Sequence, residues 1–147
     1  MIASDEWPGW EVVGATANVR FFHVETGVLA ALALSGTMDD GATARANRTF
    51  QEGYFRSKGH PGAVLVLLDG LVSQDKDARR VYQEMDGRLV VAAAMVATTL
   101  LGRAIASFSL GIREPTAPLR FFPAVDEALV WARGQLNAST VREEASP

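Results

Sequence analysis

The chain has 147 residues, 48% of them apolar and 21% charged, which describes one globular domain that buries about two-thirds of the surface its unfolded form exposes. A net charge of -3 and a pI near 5.4, with Lys and Arg scattered along the chain, leave nucleic-acid binding without a basic footprint. The absence of cysteine removes disulfides and thiol chemistry and fits a reducing cytoplasm.

The opening segment MIASDEWPGWEVV has neither a positive n-region nor a continuous apolar run, so it reads as an N-terminal arm, residues 1–11, and not as a secretory signal. Trp7 and Trp10 flank Pro8-Gly9, either stapling the arm to the core or forming an exposed aromatic contact. Asn18 to His23 and Val28 to Leu34 are strand-like runs separated by Glu25-Thr26-Gly27, whose Gly suits a bulged antiparallel hairpin. Thr37-Met-Asp-Asp40 has the form of a capping box, followed by Met38, Ala42, Ala46, Phe50 and Tyr54 at a four-residue repeat. That pattern predicts an amphipathic helix ending near Lys58-Gly59.

Ala63 to Leu68 is an unbroken apolar run ending in Asp69-Gly70, a strand that must be covered on both faces. The second helix starts at Ser73 or Asp75 and turns Ala78, Val81, Tyr82 and Met85 inward, with Asp75 and Asp77 where the helix dipole favours negative charge. Leu89 to Val96 is a further strand. Uncharged from Leu89 to Gly102, this stretch would span about 21 Å as a helix, short of the roughly 30 Å hydrocarbon core of a bilayer. No stable membrane insertion is expected.

Thr98 or Thr99 caps a third helix carrying Leu101, Ala104, Ile105, Phe108 and Ile112, which Glu114-Pro115 ends. Leu119 to Phe122 is a short strand, and Val125, Ala128, Leu129, Ala132 and Leu136 mark a last helix before a polar tail, residues 137–147. The order β-β-α-β-α-β-α-β-α predicts one α/β domain, residues 12–136. Its central mixed sheet has five strands, the later ones parallel, with four helices mainly on one face.

The phrases LVLLDGLVSQDKDARRVY, LLGRAIASFSLGIREPTAPLRFF and DEALVWAR, in that order, resemble the bacterial STAS/SEC14-type domain family, proteins similar to anti-sigma-factor antagonists. The resemblance runs from about Ala17 to Gln135. It implies a STAS-like fold and a non-enzymatic, regulatory protein-interaction module. In phosphorylated STAS proteins a strand is followed by Asp-Ser-Ser-Gly at a helix start, the second Ser being modified by a partner kinase. Laid on this chain, that motif puts Asp75 on its Asp, Lys76 on the first Ser and Asp77 on the phosphorylated Ser. Asp77 takes no phosphoryl group from a serine kinase, so a fixed negative charge stands where a regulated one would appear. Ser73 is the one hydroxyl left in this loop, a cap or a displaced phosphosite.

The expected interaction surface is therefore Asp69, Ser73, Asp75, Lys76, Asp77 and Arg79, with Arg103 at its edge, facing a protein partner. Asp75 and Asp77 point about 200° apart on a helix and form no shared carboxylate pair; capping accounts for both. Asp39-Asp40 lacks the spaced ligands of a calcium loop, and helix-start charge explains it better. His23 and His60 stand apart from any run of ligands. No GxSxG, P-loop, GxGxxG or HExxH is present, and neither a catalytic residue, a metal nor a cofactor is expected.

Leu101, Ile105, Phe108 and Ile112 read first as core. With Phe121 they are also the candidate lining of a pocket for a small apolar or lipid-like ligand between helix 98–113 and the sheet, which the SEC14 part of the resemblance implies. Small residues along that helix, Gly102 and Ala106 among them, offer a close approach for another backbone, as in a homodimer.

Overall fold

A computed structural model describes the backbone of residues 9–111 and 117–145, and side chains within that span except those of residues 108–111 and 141–145. The expected ends of the third helix at Glu114-Pro115, together with Trp7, Phe108 and Ile112, lie outside the described residues or side chains.

In chain order the elements are β1 (Glu11–Ala15), β2 (Val19–Glu25), β3 (Val28–Ala33), β4 (Thr37–Asp39), α1 (Gly41–Lys58), β5 (Gly62–Leu67), β6 (Leu71–Gln74), α2 (Lys76–Gln83), β7 (Val90–Val96), α3 (Leu100–Gly111), β8 (Leu119–Phe122) and α4 (Val125–Ala145). The main sheet has the order β1-β2-β3-β5-β7-β8. β1, β2 and β3 pair antiparallel, and β3, β5, β7 and β8 are parallel. The chain is thus α/β with a mixed sheet, as its sequence predicts, but with six strands in that sheet rather than five.

β1 is the added strand. Apart from Glu11 it lies inside the expected domain but was not read as a strand, and its register against β2 shifts between Val12 and Gly14. Gly14 is required there: a Cβ would run into the Phe50 ring of α1. Next to it, Trp10 packs against Phe22 at a centroid distance of 6.3 Å.

β3 is buried at all six positions, as two-sided cover demands. Its alternate residues divide between two cores. Leu29 and Ala31, with Phe21, Val64 and Met85, pack under Phe55 of α1; Ala30 and Leu32, with Leu65, Leu67, Ala92 and Ala94, pack under Ala128 and Ala132 of α4. A third cluster sets Ile105 and Ala106 of α3 against Leu68, Leu71 and Met95. Three helices therefore share one face and α4 alone covers the other.

Two local expectations change. The helix cap is Asp40, not Thr37: the Asp40 carboxylate accepts from the Thr43 N–H at 2.9 Å, and Thr43 returns the bond to the Asp40 N–H at 2.9 Å. Thr37 instead lies in β4, which pairs parallel with β6 in a separate two-stranded ribbon. Two strands this short carry too few residues for a periodic signal. At the other end, α4 runs to Ala145, through much of the stretch expected to be a tail. The apolar stripe stops at Leu136, but no Gly or Pro follows to break the helix before its end.

Candidate functional site

The β5–β6 junction is a tight backbone crossing. Gly70 sits so close to the Ala33 carbonyl that a Cβ would overlap it, and its own carbonyl accepts from the Gly36 N–H at 2.8 Å. Asp69 faces the other way and ties the junction to α3. Its carboxylate accepts from the Thr98 and Thr99 N–H groups, at 2.8 and 3.1 Å, and from both threonine hydroxyls, at 2.5 and 3.2 Å. Partial burial pushes its carboxyl up, but these bonds outweigh that and hold it below the usual carboxylate value. Thr99 is the α3 cap, accepting from the Gly102 N–H at 3.0 Å. Gly102 is buried, and a Cβ there would lie 2.9 Å from that of Ala97, so its small size serves packing within the chain.

The other sequence-predicted surface residues divide in the same way. Asp75 is the α2 cap, accepting from the Ala78 N–H at 2.8 Å. Asp77 is exposed in the first turn and pairs with Arg80 at 3.5 Å. Ser73, Lys76 and Arg103 are exposed, whereas Arg79 is half-buried and donates through Nη1 to the Gln74 carbonyl at 2.9 Å. Two of the expected docking carboxylates thus hold helix starts together.

Apolar exposure marks the same end of the sheet. Among the described residues the exposed large apolar side chains include Met38 of β4, Val72 of β6, and Leu100 and Leu101 of α3, with Leu100 88% exposed. β4 and β6 are paired, and Asp69 anchors the α3 start beside them, so all four sit on mutually tied elements. Their presence at the surface had no sequence signal, because β4 and β6 are too short to show a period and the α3 stripe through Leu101 reads as core.

On the face covered by α1 and α2 lies a cavity of about 140 Å3. Its walls are mainly apolar and include Val66, Leu68, Met85, Met95 and Leu119, while Asn18, Asp39, Asn47, Gln51, Gln74, Arg79 and Tyr82 contribute polar groups. Asp39 is buried and saturated. It accepts from Thr43 Oγ1 (2.6 Å), Asn18 Nδ2 (3.2 Å), Tyr82 Oη (2.8 Å) and Gln74 Nε2 (3.2 Å). Asn47 donates to Asn18 Oδ1 and to Tyr82 Oη, each at 3.0 Å, and accepts from the Thr16 hydroxyl. Burial, and then the Asp39 charge, push the Tyr82 hydroxyl well above its ordinary value, so it stays protonated and acts as a fixed donor.

The sequence reading placed the inward stripe of α1 on Ala42, Ala46, Phe50 and Tyr54. Phe50 and Tyr54 pack half-buried against the core, but Ala42 and Ala46 are exposed and the buried positions are Ala44, Asn47, Gln51 and Phe55. Two amides on an inward stripe look like an outward one, which is why the cluster was missed. The expected pocket residues also lie elsewhere: Leu101 is turned outward, Ile105 is in the third core cluster, and Phe121 is half-buried against it. The cavity lies under α1 and α2, because α3 already packs its described apolar residues onto β6 and β7.

Among the described residues no group of His, Asp and Glu is placed to hold a metal ion, and no helix is long and apolar enough to cross a membrane. A family model described as a domain of unknown function, DUF7793, matches residues 24–135. The chain belongs to the DUF7793 family. The match runs from the end of β2 to the middle of α4 and so includes the junction and the cavity lining other than Asn18 and Val19. No curated protein matches the chain. Among solved structures, it is similar to an uncharacterized protein of the DUF3478 family with a SpoIIAA-like fold from Shewanella loihica PV-4, at 13% identity and a TM-score of 0.46, covering 84% of this chain and 92% of that one. The family shown is DUF7793; of the expected STAS/SEC14-type resemblance, the STAS-like part is met by that neighbour's SpoIIAA-like fold and by no family match.

Proposed function

We propose that this DUF7793 chain is a non-enzymatic, cytoplasmic interaction module of STAS type, which docks a protein partner at the end of the sheet where β4, β6 and the α3 start meet. The observation that carries this reading is the grouping of Met38, Val72, Leu100 and Leu101 at the surface of elements that Asp69 and the β4–β6 pairing hold in place. Lys76, Asp77 and Arg103 supply a charged rim, while Asp69 and Asp75 position the surface from within it.

The test is cross-linked capture from host extract, using wild type, Leu100→Asp, Met38→Asp and, as a surface control on α4, Val130→Asp. A protein retained by wild type and the control but lost from the other two supports the surface. Retention by all variants, or equal loss from the control, refutes it. Light scattering on the same proteins separates a second copy of this chain from another partner: a dimer broken by Leu100→Asp reassigns the surface to self-association.

A further inference from the structure

The hydrogen-bond network beside the cavity closes on itself at Asp39, Asn18, Asn47 and Tyr82, and leaves out one neighbour. Gln51 is 5% exposed, one turn along α1 from Asn47, and lines the cavity. Its side-chain amide makes no hydrogen bond to any described residue. The amide atoms are not sealed off within the protein, and the space they open onto is the cavity that Gln51 lines.

We propose that this cavity binds a neutral, ring-sized ligand that offers a hydrogen-bond donor and acceptor side by side, as a primary amide or lactam does, to the Gln51 amide. Size sets the first limit. A cavity of about 150 Å3 accepts a benzene ring, and this one is about 140 Å3, too small for an acyl lipid. Charge sets the second. Asp39 and Arg79 both line the cavity, so its wall carries one charge of each sign, and an ionised ligand of either sign meets a like charge beside the opposite one while giving up its hydration. Geometry sets the third, since the Gln51 amide carries one acceptor and two donor hydrogens, and a cis-arranged amide pairs with both kinds at once. Val66, Met85, Met95 and Leu119 then cover the ring. The site shares β4 and β6 with the docking surface but uses Asp39, Leu71 and Gln74 where that surface uses Met38 and Val72, and it does not rest on a docked partner.

Benzamide and toluene are suitable probes, read through the methyl resonances of Met85 and Met95 in the intact chain. Saturable shifts of both methyls are expected with benzamide, with weaker binding of toluene. Gln51→Leu is expected to weaken benzamide at least fivefold while leaving toluene unchanged or tighter. Should Gln51→Leu fold poorly, Gln51→Met removes the amide at similar length and carries the same expectation. Absence of benzamide shifts at both methyls, or equal benzamide affinity in wild type and the amide-free variant, overturns the proposal.

Discussion

The Tyr82 hydroxyl donates to the Asp39 carboxylate at 2.8 Å, joining α2 to the end of β4 across 43 residues of chain. The same oxygen accepts from Asn47, so one phenol links both helices over the cavity to a buried charge. A charge in that position is stable only while its donors are present.

Tyr82→Phe removes one donor from Asp39 and one acceptor from Asn47 with little change in volume. The expected loss is about 1–3 kcal/mol in urea unfolding. A loss below about 0.5 kcal/mol, the range of an ordinary surface change, shows that the network is not held by this bond.

Gln51 and Asn47 are neighbouring buried amides with opposite expectations. Asn47→Leu strips partners from Asn18, Thr16 and Tyr82 together and is expected to cost at least about 2 kcal/mol. Gln51→Leu strips none among the described residues and is expected to be neutral or stabilising by up to about 1 kcal/mol. Thermal melts of the two variants in parallel decide it; equal destabilisation contradicts the difference in bonding.

Asp69 links the junction to the α3 start in a pH-dependent way. Because its folded carboxyl sits below the ordinary 3.8, folding favours the ionised form. That contribution is present above the unfolded value and is lost as pH falls through the lower folded one. Asp69→Asn is therefore expected to be less stable than wild type at pH 7, by about 2 kcal/mol, with the gap narrowing in acid below about pH 4. A gap constant with pH identifies the effect as steric.

Gly70→Ala places a methyl group against the Ala33 carbonyl, and every close neighbour is Ala33–Leu34 backbone, which cannot swing aside as a side chain could. The expected cost is about 2 kcal/mol or more, measured by chemical denaturation. Gly53→Ala is the comparison. No atom lies within 4 Å of a Cβ at Gly53, in mid α1, so this change is expected to stabilise the helix by up to about 1 kcal/mol.

Much of the fold was legible without coordinates. The apolar runs of β3, β5 and β7 called for cover on both faces, Gly27 and Gly59 marked the hairpin and the end of α1, and both adopt the left-handed conformation that their positions require. β1, β4 and β6 were missed because each is short, irregular in register or both. Of the expected surface, Ser73, Lys76, Asp77 and Arg103 are exposed as read. Asp69 was legible as a loop carboxylate but not as the anchor of α3, a role that depends on Thr98 and Thr99 being brought to it from about 30 positions away.

By itself the sequence determined the fold class, the order of the helices and of the strands other than β1, β4 and β6, and the parallel core, because those depend on local periodicity and on where Gly and Pro interrupt it. Tertiary structure alone decided which polar residues are inside. Asn18, Asp39 and the α1 pair Asn47 and Gln51 come from separate stretches of chain and in one dimension look solvated, while Tyr82 reads as inward but without its partners. Only when α1 and α2 close over the sheet do four of them satisfy one another, while the fifth keeps its amide for the cavity.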